Sequence, residues 1–213
     1  MSCSKQEPAP KISDPKLLRE DVEFINLTKE TYDYLDYLAN VIKEQKLNKS
    51  EVLLRLQKIQ SKNVSSESQM DLIDSLFKTK ISDRLVKHIK VYTELSAKLN
   101  SRYISFSEDV IAEECARVLA RSTKGSLKNR EMSFQEKTML YTEPIGDIDC
   151  GWRYYLCVGA ATAGAILCHG ACDATAIPLT AGIGIGACVF ACGTLQSYAM
   201  VECADKYCST KNN

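Results

Sequence analysis

The residues with the most evident chemistry in this sequence are its ten cysteines. Two of them, Cys3 and Cys115, stand alone, and the other eight lie between positions 150 and 208. Cysteines at this density form disulfides in an oxidising compartment or, in a reducing one, thiolate sites for zinc. The clustered cysteines are Cys150, Cys157, Cys168, Cys172, Cys188, Cys192, Cys203 and Cys208.

The spacing of these eight cysteines is nearly palindromic, with successive steps of 11, 4, 16, 4 and 11 positions from Cys157 to Cys203. If the chain folds back on itself near Thr180, symmetric cysteines lie opposite one another. Steps of 4 and 11 return to nearly the same face of a helix, because about 3.6 residues make one turn. The predicted disulfides are Cys172–Cys188, Cys168–Cys192, Cys157–Cys203 and, outermost, Cys150–Cys208.

A zinc site is the alternative, with His169 between Cys168 and Cys172 as a further ligand. Zinc takes only four ligands, however, and would leave the outer symmetric pairs unexplained. We therefore predict disulfides in an exported protein, and neither a metal nor a cofactor.

Helix packing permits these disulfides. Packed helix axes lie about 8–10 Å apart and Cα atoms about 2.3 Å from each axis, so facing Cα atoms approach to roughly 3.4–5.4 Å. This approach needs small side chains between the two helices. The sequence supplies them at Gly159, Ala160, Ala163, Gly164, Gly170, Ala171, Gly186, Ala187, Ala191 and Gly193.

The segment 14–121 shows the periodicity of amphipathic helices. Capping residues predict where the helices begin, and Pro15 suits a first helical position. The predicted starts are Asp14, Asn48, Ser66, Ser82 and Ser107. His88 lies in a charged helix and is expected at the surface.

The predicted fold is all-α, with an N-terminal helical bundle at 14–121 and a C-terminal disulfide-stapled hydrophobic α-hairpin at 150–208. Residues 1–13 are predicted to be a flexible tether and 209–213 a tail. Residues 122–149 are predicted to be a linker with a short helix, because they begin with a polar, basic stretch without apolar period. Candidate cleavage points in and beside this stretch are Arg121, Lys124, Lys128 and Arg130.

The hairpin segment has the composition of a membrane-active module. From Gly151 to Val201 the only formal charges are Arg153 and Asp173. Each arm has about 20 residues and is therefore about 30 Å long, the hydrocarbon thickness of a bilayer. The residues predicted to interact with a membrane are the interfacial aromatics Trp152, Tyr154 and Tyr155 and the small-xxx-small pair Gly182 and Gly186. The alternative is an apolar hairpin that packs on the bundle as its core.

Other kinds of chemistry have little support in the sequence. The 27 acidic and 27 basic side chains balance, which argues against nucleic acid as a partner. The chain has two histidines, and no nucleophile–base arrangement is recognisable. We therefore predict that the protein is not an enzyme.

The start of the chain looks like a bacterial lipoprotein from which the leader has been removed. The small Ser2 precedes Cys3, and a Pro-containing polar stretch follows at 6–11. This resemblance implies lipidation at Cys3 and export to the outer membrane, the cell surface or the medium.

The module from Cys150 to Cys208 resembles halocin-type bacteriocin domains, which are compact, hydrophobic and cross-linked by disulfides. Joined to the lipoprotein-like start, it looks like the antimicrobial toxin precursors of Bacteroidales-type bacteria. The resemblance implies killing of related bacteria and activation by a protease. The expected partners are the target-cell membrane, a surface receptor and the activating protease, with oligomerisation on the membrane.

The predicted function is thus a secreted antibacterial toxin precursor whose bundle acts as carrier or pro-domain. The alternative is a non-enzymatic envelope lipoprotein, immunity factor or chaperone-like interaction protein with a permanently packed hairpin. Twin Cys-x3-Cys motifs also resemble small chaperones of the mitochondrial intermembrane space, but the uncharged arms depart from that pattern. Cys115 is expected to be either a buried thiol or bonded to a C-terminal cysteine.

Overall fold

The computed structural model describes residues 13–60, 66–100, 106–128, 150–175 and 183–208, which form α-helices joined by turns. The helices are α1 (Pro15–Leu18), α2 (Val22–Glu44), α3 (Lys49–Gln60), α4 (Ser66–Phe77), α5 (Ile81–Asn100), α6 (Glu108–Lys128), α7 (Trp152–Thr175) and α8 (Ile183–Tyr207). No strand occurs among the described residues, so the predicted all-α fold class is confirmed.

The first periodic stretch forms two helices rather than one. Asp14 begins α1, where its side chain accepts a hydrogen bond from a backbone N–H. Asp21 begins α2 in the same way and accepts from the backbone of Glu23 and Phe24. Because an aspartate at this position satisfies the unpaired N–H groups of a new helix, the chain turns at 19–21 while the apolar period continues.

The next helix starts agree with the sequence. Asn48 and Glu51 form a reciprocal pair ahead of α3, since each side chain accepts from the other's backbone N–H at 2.9–3.0 Å. This is the geometry of a capping box. Helix α4 begins at Ser66, and α5 begins one residue before the predicted Ser82.

Helix α6 is longer than predicted. We expected it to end at Arg121 and an exposed linker to begin at residue 122, but it continues to Lys128. The polar residues 122–128 lack an apolar stripe, yet they continue a helix that is already formed, and extension costs less than nucleation. The short helix expected near 133–141 lies outside the described residues.

The hairpin formed by α7 and α8 is built into the bundle. Helix α6 packs along α7, and α2 packs along α8. The rings of Phe77 on α4 and Phe190 on α8 meet edge to face with centroids 5.3 Å apart. The main hydrophobic cluster contains buried residues from both predicted modules, so the bundle and the hairpin share one core.

His88 was predicted at the surface, and this was wrong. Its side chain is fully buried, with its ring stacked on Tyr34 of α2 at a centroid distance of 4.1 Å. Charged neighbours along α5 made the helix look solvent-exposed, but His88 lies on the face that α2 and α7 cover.

Candidate functional site

Four disulfides link the two arms of the hairpin and form a ladder. The bonds are Cys150–Cys208, Cys157–Cys203, Cys168–Cys192 and Cys172–Cys188. They are the four pairs that the palindromic spacing predicts. The ladder therefore holds α7 and α8 side by side along their whole described length.

The arms are farther apart than the packing argument suggests. Cα–Cα distances are 5.8, 6.0 and 5.8 Å in the three inner disulfides and 4.6 Å in the outermost one. The expected range of roughly 3.4–5.4 Å assumed that both Cα atoms lie on the line between the helix axes. The inner distances are instead typical of disulfides in general.

The two disulfides nearest the bend lie against each other. The sulfur atoms of Cys172, Cys188 and Cys192 all lie within 4.8 Å of one another, and Cys172 Sγ is 3.7 Å from Cys192 Sγ. All three sulfurs belong to disulfides, which accounts for their proximity without a metal. His169, the further ligand of the zinc alternative, forms a contact with His88 of α5.

Small residues of the hairpin form its contacts with the bundle. A Cβ added at Gly159 of α7 would lie 2.6 Å from the carbonyl oxygen of Ala112 on α6. Added at Gly193 of α8, a Cβ would lie 2.6 Å from the ring of Tyr34 on α2. The absent side chains thus let bundle helices approach the arms closely.

The two other bundle contacts of this kind involve Gly170 with Tyr92 and Gly186 with Met70. We expected the glycines to bring the arms towards each other, and this was wrong at these four positions. Of Gly159, Gly164, Gly170, Gly186 and Gly193, Gly164 is the one whose added Cβ would meet the other arm, at the side chain of Gln196. Disulfides keep the two arms several ångströms apart. The closest approaches of the hairpin are therefore those to bundle helices, to which no disulfide joins it.

Cys115 is a free thiol buried in α6, where its sulfur lies 3.6 Å from the hydroxyl of Thr28. Cys115 is not bonded to a C-terminal cysteine, because the eight cysteines of the hairpin are all paired with one another. Burial raises the pKa of the Cys115 thiol to about 12, which suppresses the reactive thiolate.

We expect Cys115 to resist alkylation in the native protein at pH 8 and to react after denaturation without reductant. Burial and the raised pKa both disfavour attack, and unfolding removes both. Mass spectrometry of peptides alkylated before and after denaturation measures this. Rapid labelling of native Cys115 would contradict the described packing, and labelling of any hairpin cysteine without reductant would contradict the ladder.

The aromatic residues predicted to meet a membrane contact the bundle. Trp152 is 45 % exposed and lies under the guanidinium of Arg117 on α6, 5.8 Å from the ring centroid. Tyr154 and Tyr155 are partly buried and pack against the shared core. Gly186 is buried against α4, and Gly182 lies outside the described residues. A membrane contact of these residues stays a prediction.

One helix among the described residues, at Trp152–Cys172, is long and apolar enough to cross a membrane, judged by length and composition. Half of that segment is buried against other helices, and a core helix has the same composition. Its exposed face carries Leu156 and Leu167, and the exposed face of α8 carries Leu195. The hairpin thus presents apolar side chains both inward and outward.

The candidate processing residues are placed differently. Arg121 is exposed on α6, and the backbones of Lys124 and Lys128 are also helical. Proteases cleave extended, exposed backbone, so cleavage at these three residues would require the end of α6 to unfold. Arg130 and the predicted lipidation residue Cys3 lie outside the described residues.

Comparison with known proteins adds no relative: no family model matches the chain, and neither a curated protein nor a solved structure shows a significant match. The resemblance to halocin-type modules therefore stays a prediction from cysteine rhythm and composition. The ladder and the contacts of the hairpin with the bundle are the observations that bear on function.

Proposed function

We propose that the protein is an exported precursor of a membrane-active antibacterial toxin. The hairpin at 150–208 is the active module, and helices α1–α6 are its carrier or pro-domain. The observation that carries this proposal is the closure of the disulfides within the module. Because no disulfide among the described residues joins hairpin to bundle, one backbone cut between 129 and 149 leaves only noncovalent contacts between them.

The composition of the hairpin supports a membrane as its target. The sequences of α7 and α8 carry charged side chains only towards the helix ends. Apolar faces now buried by α2, α4 and α6 would be exposed after release, and burial of such surface in lipid contributes about 25 cal/mol per Å². The ladder would keep the two helices paired during this transfer.

The remaining parts of the proposal concern export and partners. Lipidation at Cys3 would place the precursor on the outer membrane or cell surface, and loss of that anchor would make it a secreted protein. A protease acting near Arg130 would separate the module. A receptor on the target cell and oligomerisation in its membrane would then complete the attack, without a cofactor or nucleic acid.

We expect cleavage between residues 131 and 149 to increase dye release from liposomes of anionic phospholipid by about tenfold or more. In the uncleaved protein a smaller fraction of molecules has a hairpin that is free to enter the membrane. A recognition sequence for a specific protease is inserted there, and fluorescence of released dye is measured before and after digestion. The matched control carries a scrambled recognition sequence and receives the same protease.

Growth inhibition of related bacteria by the cleaved protein is the second measurement. Neither leakage nor inhibition after verified cleavage would reject the toxin proposal. Equal leakage before and after cleavage would reject the role of the bundle as a pro-domain.

A second candidate function is an interaction protein of the envelope in which the hairpin is a permanent part of the core. The specific fit of Gly159 to α6 and of Gly193 to α2 favours it. In that case cleavage leaves the two parts associated, and backbone amides of α7 and α8 keep their protection from hydrogen exchange. Release of the hairpin by dilution after cleavage would exclude this candidate.

A further inference from the structure

The two histidines of the sequence meet in the interior between α5 and α7. His88 Nε2 lies 3.3 Å from His169 Nδ1, and both side chains are fully buried. His169 belongs to the hairpin and is flanked by the cysteines of the two innermost disulfides. The pair is therefore a polar contact between bundle and hairpin inside an apolar core.

Glu30 of α2 determines how protons are distributed in this pair. Its carboxylate lies 3.3 Å from Nδ1 of His88 and 2.5 Å from a guanidinium nitrogen of Arg84. When a neutral His88 donates a hydrogen bond from Nδ1 to Glu30, the Nε2 atom of His88 accepts one from Nδ1 of His169. Two neutral rings satisfy the contacts from Glu30 to His88 and from His88 to His169, while the buried Nε2 of His169 has no hydrogen-bond partner among the described residues.

A second added proton is incompatible with the same contact. When both rings are imidazolium ions, all four ring nitrogens carry protons. His88 Nε2 and His169 Nδ1 would then be two donors and two positive charges facing each other at 3.3 Å. Separation of α7 from α5 relieves this repulsion and hydrates the rings.

The surrounding groups offer little compensation. From α2, Glu30 and the uncharged ring of Tyr34 face the pair, and Arg84 already shares the carboxylate of Glu30. From α5, Tyr92 lies edge-on to His169 and donates its hydroxyl proton to the carbonyl of Ile166. From α8, an interaction with the backbone of Val189 raises the pKa of His169 and so favours its charged form.

We propose that the His88–His169 pair is an acid-sensitive latch that fastens the hairpin to the bundle at neutral pH and loosens it in acid. The latch is a property of the fold by itself. Its use, exposure of the hairpin at an acidic target surface, rests on the proposed toxin function.

The direction of the pH effect follows from linkage. Burial is the largest cause that lowers the pKa of both rings, to about 3 for His169, whereas the unfolded value is 6.5. The stabilising contribution of each neutral ring is therefore present above pH 6.5 and is lost as the pH falls towards the folded pKa. Each ring kept neutral lowers the folded-to-unfolded ratio about tenfold per pH unit below 6.5.

The test is urea unfolding of the full-length protein at pH 7.5, 6.0 and 5.0, for the wild type, His88→Gln, His169→Gln and the double variant. Thr162→Val is the matched control, because Thr162 is buried on α7 and does not titrate. Partly buried Asp33 and Asp36 have raised pKa values and act in the opposite direction, but the comparison between variants cancels them.

Between pH 6.0 and 5.0 the folded-to-unfolded ratio of the wild type should fall about tenfold more than that of the double variant if one ring stays neutral and about a hundredfold more if both do, with Thr162→Val parallel to the wild type. Equal slopes in wild type and double variant would overturn the latch. If the variants fail to fold, ring nitrogen NMR of the wild type decides. At least one ring that stays neutral at pH 5.5 supports the latch, and titration of both rings near pH 6.5 in the folded protein rejects it.

Dye release at pH 5.5 and 7.5 separates this inference from the toxin proposal. A histidine-dependent pH slope without leakage would leave the latch and reject the toxin. Leakage of the cleaved protein that is independent of pH and of both histidines would leave the toxin proposal and reject the use of the latch in exposing the hairpin.

Discussion

Reduction of the four disulfides is expected to unfold the hairpin and to detach it from the bundle. The bonds close segments with sequence separations of 16, 24, 46 and 58 residues. A single cross-link of this size contributes about 3–4 kcal/mol in the chain-entropy model. Nested bonds contribute less than their sum, but their joint loss still rivals the total stability of about 5–15 kcal/mol typical of domains.

The glycine content of the hairpin strengthens this expectation. Gly159, Gly164 and Gly170 all lie within α7, and each glycine in a helix interior costs about 1 kcal/mol relative to alanine. Without the ladder, α7 and α8 would have to be held by packing alone. The bundle helices α2–α5 have ordinary amphipathic sequences and should retain more of their helicity.

Hydrogen exchange with and without a phosphine reductant, under otherwise native conditions, measures the effect segment by segment. We expect protection in α7 and α8 to fall to that of an open chain and the melting temperature to drop by more than about 10 °C, since about 1 kcal/mol shifts a domain of this size by 2–4 °C. Preserved protection after complete reduction, verified by mass, would show that packing alone holds the hairpin.

Replacement of Gly159 by alanine is expected to lower the free energy of unfolding by about 1–3 kcal/mol, the usual cost of an overpacked core. The new Cβ would lie 2.6 Å from the Ala112 oxygen and 2.7 Å from atoms of Ala116. Backbone atoms of a packed helix cannot rotate away, so α6 and α7 have to move apart. The steric cost should outweigh the gain of about 1 kcal/mol in helix propensity.

Gly164→Ala is the matched control for this substitution. It lies in the same helix and gains the same helix propensity, but its Cβ would meet the end of the Gln196 side chain, which can rotate away. We expect this variant to be as stable as the wild type or slightly more stable. Urea unfolding of both variants at pH 7.5 tests the difference, and equal stability of the two would contradict the close packing of α6 on α7.

The sequence alone determined the parts of this fold that depend on short-range periodicity. The steps between Cys157 and Cys203 predict two facing helices and their cross-links, because helical period and mirror symmetry leave one consistent pairing. Capping residues such as Asn48 mark helix starts because they act within one turn. The end of α6 was missed, since extension of an existing helix needs no apolar signal.

Only the tertiary structure decided what each face of the hairpin packs against. Gly159 and Gly193 were expected to serve contact between the arms, but they serve contact with α6 and α2. The meeting of His88 with His169 could not be predicted either, because 81 positions separate them and no local pattern records which helices become neighbours. Composition specifies that a surface is apolar or small, whereas its partner is chosen by the packing of the whole chain.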